Sequence, residues 1–231
     1  MNVRWETYLG AVGFLMLLGA HYVGLFVAPP EAMMGDVGRI LYAHVPTAWV
    51  GLLTYLVAFI AAIGAMLTGK AKWDALVEAS VEVGLLLNVL LLIQGSLWAK
   101  PTWGVYWTWD PRLTTCAIMV VGFGVVLALR KQIDEPARRL TISSVATIVA
   151  FVNVPIVYMS VKWWRTLHQN FSSPETVDSA MVTPLRVAAF AMLFLSAAFV
   201  VRRWRLAVAQ LTLEFDGPDL PAPSTPLAVE D

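Results

Sequence analysis

From Thr7 to Pro30 the chain carries no Lys, Arg, Asp or Glu. That length is close to the roughly 20 residues an α-helix needs to cross the hydrocarbon core of a bilayer. It exceeds the apolar core of a cleaved signal, about 7–15 residues, and so reads as a retained span. Five further apolar runs follow, giving six segments at about 7–28, 46–68, 82–99, 113–130, 140–161 and 183–203. Backbone groups inside hydrocarbon have no water to bond, so only helices and closed barrels cross it. A barrel strand alternates apolar and polar residues, and these runs do not. The expected fold is all-α: a polytopic membrane protein with six transmembrane helices. Composition agrees, with 58% hydrophobic and 14% charged residues, against about 25% charged in a soluble domain.

Residues 1–205 are expected to form one membrane domain. Residues 206–231 end in EFDGPDLPAPSTPLAVED, with four prolines and no basic residue, and read as a disordered, acidic, Pro-rich cytoplasmic tail. Orientation follows from Lys and Arg, which concentrate on cytoplasmic loops. With the N-terminus inside, the inner group is Arg4, Lys70, Lys72, Arg130, Lys131, Arg138, Arg139, Arg202, Arg203 and Arg205. The outer group is Arg39, Lys100, Arg112, Lys162, Arg165 and Arg186. Ten against six, of sixteen in all, favours N-in and C-in. The connections 29–45, 99–112 and 162–183 then lie on the outer face.

Several functions are excluded early. The formal net charge is zero, which gives no basic surface for nucleic acid. The single cysteine, Cys116, forms no internal disulfide and no C-x-x-C redox or haem-attachment motif; it reads as a small core residue. There is no G-x-x-x-x-G-K-[ST] phosphate loop and no hydrolase constellation. Nucleotide-derived energy would come from partners.

The outer connections hold the chemistry. Residues 103–110 read WGVYWTWD, bracketed by Pro101 and Pro111. Lone tryptophans near span ends are ordinarily interfacial anchors; Trp103, Trp107 and Trp109 together are more than an anchor needs. As a helix, the stretch would align Trp103, Tyr106, Trp107 and Asp110. As a strand, it would align Trp103, Val105, Trp107 and Trp109. Pro111 disfavours α geometry at Asp110. His44, in HVP just before Pro46 in the first turn of helix two, and His168, in TLHQ beyond helix five, fall on the same face. Each taken singly reads as a structural histidine. Together with the aromatic stretch, they suit a clamp on a flat, metal-centred macrocycle such as haem, with imidazoles as axial ligands. Arg39 and Arg112 suit its propionates, because the guanidinium fork matches a carboxylate. His21, lacking a partner within the spans, reads as a bundle residue, and Pro155 as the kink of helix five.

WGVYWTWDPRLT, together with HVP and TLHQ, resembles the tryptophan-rich "WWD" signature of haem-handling membrane proteins in cytochrome c biogenesis. Over about residues 5–205 the chain is similar to the CcmC family of bacterial cytochrome c maturation. The resemblance implies His44 and His168 as the two axial haem ligands. It implies Trp103, Gly104, Trp107, Trp109 and Asp110 as a platform against the haem, with Tyr106 standing where some members carry tryptophan. It also implies haem b as cargo, held at the periplasmic face of the inner membrane and presented to the periplasmic haem chaperone CcmE. An ABC transporter of CcmA and CcmB, with the small single-span CcmD, would work beside it. The chain would orient haem for covalent attachment to the chaperone rather than act as an enzyme itself. Two other classes remain open at this level: a b-type cytochrome carrying electrons, and a transmembrane haem exporter.

Overall fold

The computed structural model describes residues 4–168 and 178–215, the last four of these by backbone only. Helix α1 (Trp5–Tyr22) ends in a π-turn over Val23–Val27, and a 3-10 turn over Asp36–Ile40 leads into α2 (Leu41–Thr68). Then come α3 (Ala71–Trp103), α4 (Pro111–Arg130), α5 (Pro136–Phe151), α6 (Asn153–Trp163) and α7 (Ser179–Phe215). The described residues contain no strand beyond an isolated bridge between Glu31 and Gly35. Six helical stretches are long and apolar enough to cross a membrane, so the all-α, six-span reading holds.

The departures from the expected segments that matter most have physical reasons. Helix α2 begins at Leu41 rather than near Pro46, because the 3-10 turn already sets helical geometry. Pro46 is therefore inside the helix, not in its first turn, and removes the N–H that Tyr42's carbonyl would accept. Helix α3 begins eleven residues ahead of the expected 82, carrying charged residues that are paired inside the bundle. The fifth span breaks at Val152 into α5 and α6, three residues before Pro155, as a proline kink does. The expected domain end at 205 falls inside α7, which continues to Phe215 because Ala207 and Leu211 pack on Ala75. Helix α7 has 37 residues, about 55 Å at 1.5 Å per residue, well beyond a hydrocarbon core of about 30 Å. Residues 216–231 of the expected tail lie outside the described residues.

Small residues let α2 and its neighbours approach, as is usual where lipid leaves little hydrophobic drive between helices. Ala58, Ala61, Ala62 and Ala65 are fully buried along α2. Gly51 faces Asn88, and Gly84 faces the ring of Tyr55. Tyr55 in turn stacks on Phe123 of α4, ring centres 3.6 Å apart and planes at 5°. A Cβ on Gly84 would stand 2.7 Å from two carbons of the Tyr55 ring. Gly84→Ala is expected to cost about 1–3 kcal/mol, the usual cost of overpacking, and to lower the thermal unfolding midpoint in detergent. An unchanged midpoint would show that the α2–α3 seam is slack.

The bundle end that carries both described termini is tied by charge. Arg130 of α4 donates to both carboxylate oxygens of Asp74, to Glu78 Oε2 at 3.0 Å and to Ser143 Oγ at 2.7 Å. Arg203 of α7 binds Glu78 and Glu82, and Arg205 reaches Glu6 of α1 at 2.8 Å. One network thus ties α3 to α4, α5 and α7, while a separate pair joins α1 to α7. The opposite end is left to the functional site.

Candidate functional site

At that opposite end the aromatic stretch is neither a continuous helix nor a strand. Helix α3 runs on through Trp103 and stops at Gly104, whose φ of +81° is left-handed, a backbone region open to glycine at little cost. The Gly104 N–H closes on the Lys100 carbonyl at 3.0 Å. Lys100 Nζ donates to the Gly104 carbonyl and Ser96 Oγ to the Tyr106 carbonyl, both at 2.9 Å. These bonds fold residues 104–106 back beside α3. Asp110 is extended, as a residue before proline should be, and caps α4 by accepting the Arg112 N–H at 2.9 Å. Pro111 occupies the first helical position, where its missing N–H costs nothing.

The Asp110 carboxylate has a second task. It accepts the Thr166 hydroxyl at 2.6 Å and the Leu167 N–H at 2.7 Å. The segment after α6 is thereby fastened to the start of α4, and His168 is carried to the bundle end. His44, on the first turns of α2, meets it there. The two imidazole centres lie 6.4 Å apart with planes tilted by 34°. His44 is nine-tenths buried, backed edge-on by Trp98 at 5.4 Å. Its Nδ1 has no hydrogen-bond partner among the described residues. Below it, a Cβ placed on Gly95 would touch His44 Cε1 at 3.4 Å.

Between the histidines and the aromatic stretch opens a cleft walled by His44, Trp98, Trp103, Trp107, Arg112 and His168 among others. A metal–imidazole bond of about 2 Å puts the ring centre about 3 Å from the metal, so two axial imidazoles stand about 6 Å apart, centre to centre. The observed spacing matches that value. No cluster of three or more His, Cys, Asp or Glu side chains able to hold a metal occurs among the described residues.

The sequence-derived residues separate into two groups. His44, His168, Trp103, Trp107 and Arg112 come together around the cleft. Gly104 is the helix stop, and Asp110 is the buried tie just described. Tyr106 and Trp109 are exposed, Trp109 standing edge-on to Trp107 with ring centres 5.7 Å apart. Arg39 is turned away: its guanidinium donates to the carbonyls of Gly24 at 2.7 Å and Ala28 at 3.0 Å and to Asp36 at 2.8 Å, holding the turn after α1. Arg112 donates through one nitrogen to the carbonyls of Val157 and Tyr158 while lining the cleft. His21 bonds the Leu17 carbonyl of its own helix at 2.9 Å. Trp98 and Gly95 were not anticipated. They share a helical face with Leu91 and Thr102, a pattern visible only once α3 is continued to Trp103.

A sequence model of the family described as "Heme exporter protein C" matches residues 1–215. The chain belongs to the CcmC family. Its relatives include the heme exporter protein C of Bradyrhizobium diazoefficiens, 33% identical over 84% of this chain and 75% of that protein. The Escherichia coli K12 protein of the same name is 32% identical over 84% of this chain and 80% of its own length. A putative cytochrome c biosynthesis ccmC-like mitochondrial protein of Marchantia polymorpha is 31% identical over 88% and 87%. In this CcmC-family chain the family match extends to Phe215, the last described residue of α7.

Proposed function

We propose that the chain binds haem b as cargo between His44 and His168 and passes it on for cytochrome c maturation. The observation that carries this reading is the 6.4 Å separation of two imidazoles across an aromatic-walled cleft. Family membership and the names of the relatives support it. Trp103, Trp107 and Trp98 supply flat apolar walls for a macrocycle, and such contacts contribute about 0.5–1.5 kcal/mol each beyond burial. Arg112 is the propionate partner, since the Arg39 fork is occupied by the carbonyls after α1. Tyr106 and Trp109 extend the aromatic surface beyond the cleft mouth.

The orientation we propose is N-in and C-in, with the cleft on the periplasmic side of the inner membrane. The excess of basic residues at the opposite bundle end supports it. The cargo would then pass to the periplasmic chaperone CcmE, with the transporter subunits CcmA and CcmB and the small subunit CcmD as partners in that complex. The middle of the bundle is filled by Tyr55, Phe123, Met119 and alanines, which favours presentation at one face over transit through the bundle.

Purified protein loaded with haem b and mixed with apo-chaperone tests the proposal. Haem is expected to move to the chaperone, read as a shifted Soret band in the separated acceptor. Haem that stays in place and is instead reduced by quinol would replace this reading with an electron carrier. The cleft floor offers a simpler check. Gly95→Leu pushes a side chain into the space beside His44, and is expected to lower bound haem at least about tenfold while thermal unfolding of the apoprotein stays near that of wild type. Wild-type haem content in that variant would place the cargo elsewhere.

A further inference from the structure

The two histidines are held in different ways. His44 belongs to a long helix and is fixed by α2 itself, with Trp98 and Gly95 of α3 against its ring. His168 follows the end of α6 at Trp163, where the backbone turns extended at Trp164. Its place is set by a short chain of bonds. Asp110 Oδ2 accepts the Leu167 N–H at 2.7 Å, and Asp110 Oδ1 accepts the Thr166 hydroxyl at 2.6 Å. The same hydroxyl accepts the His168 N–H at 3.0 Å.

We propose that Asp110 and Thr166 are positioning residues for His168, forming a clasp whose closure sets the second imidazole opposite His44. This rests on the reading of the two histidines as axial ligands. It gives the aspartate of WGVYWTWD a role different from Trp103 and Trp107 before it: they wall the cleft, whereas Asp110 is buried and acts through the backbone of residues 166–168.

The chemistry of the clasp is specific. Asp110 accepts three donors and offers none: the Arg112 N–H, the Leu167 N–H and the Thr166 O–H. An asparagine of the same shape must turn its NH₂ toward one backbone N–H. Facing its oxygen to Arg112 keeps the α4 cap, because Asn caps as well as Asp, but sets donor against donor at Leu167. Asp110→Asn therefore separates the clasp from the cap. The Thr166 oxygen both donates and accepts, so Ser can replace it and Val, though similar in shape, cannot.

The test is spectroscopic, on the full-length protein in detergent loaded with haem b. Wild type and Thr166→Ser are expected to give a six-coordinate, low-spin spectrum. Asp110→Asn and Thr166→Val are expected to shift at least half of the haem to a five-coordinate, high-spin form resembling that of His168→Ala. Added imidazole should return all three to low spin. Thermal unfolding of each apoprotein shows whether the fold persists. Folded Asp110→Asn and Thr166→Val variants that keep the wild-type spectrum overturn the clasp alone. A wild type whose spectrum matches His168→Ala overturns the ligand reading beneath it.

Discussion

Haem bound to His44→Ala is expected to fall at least about tenfold below wild type. Loss of a partner one shell out from a metal already costs about 10–100-fold, and here the ligand itself is removed. The structure also orders the two histidine variants. His44 is nine-tenths buried and backed by Trp98, so its removal opens a void that solvent imidazole reaches poorly. His168 lies in the irregular segment after α6, so in His168→Ala an external imidazole can take its place. Haem content by pyridine haemochromogen, with and without imidazole, reads both effects. His168→Ala is expected to be restored in large part and His44→Ala little. Equal restoration of both would remove the distinction between a fixed and a movable ligand.

Asp74→Leu is expected to destabilise the protein by about 3–5 kcal/mol, the usual result of leaving one partner of a buried ion pair alone. Asp74 and Arg130 side chains are 3% and 6% exposed. Glu78 cannot fully replace Asp74 because it is shared with Arg203. Removing both charges together, as Asp74→Leu with Arg130→Met, is expected to cost less than the single change, because no uncompensated charge remains. Thermal unfolding in detergent compares the two. A double variant at least as unstable as the single would show that the pair adds net stability rather than merely avoiding a penalty. Neither variant should alter the haem spectrum of the protein that remains folded, since the network lies at the other bundle end.

The spans were legible because hydrocarbon leaves the backbone no alternative to internal bonding, and length then sets where helices fit. Their ends were less legible where charge and proline intervened. Asp74, Glu78 and Glu82 break the apolar run before 82, yet α3 includes them because Arg130 and Arg203, 52 or more residues away in sequence, satisfy them. No local pattern carries that information. The end of α7 is similar: past Arg205 the apolar pattern is interrupted by Gln210, Thr212 and Glu214, and packing on Ala75 is what makes Ala207 and Leu211 core.

At the site, residue types were more legible than roles. His44 and His168 were paired by the face they share, and the structure places their rings side by side. The family resemblance counted Asp110 as part of the platform against the haem. Its partners are a hydroxyl and an N–H 56 and 57 residues away, so its task is set by tertiary contacts. Arg39 and Arg112 looked equivalent as cations on one face. The carbonyls freed where α1 ends in a π-turn claim the first and leave the second on the cleft wall.

Electron paramagnetic resonance of the ferric, haem-loaded protein reads the ligation by His44 and His168. Two imidazoles on one iron give a low-spin ferric signal, and each single histidine variant removes one of them. A low-spin spectrum is expected in wild type, converting to high spin in both His44→Ala and His168→Ala. A wild-type signal that persists unchanged in either variant would show that the replaced histidine is not an iron ligand.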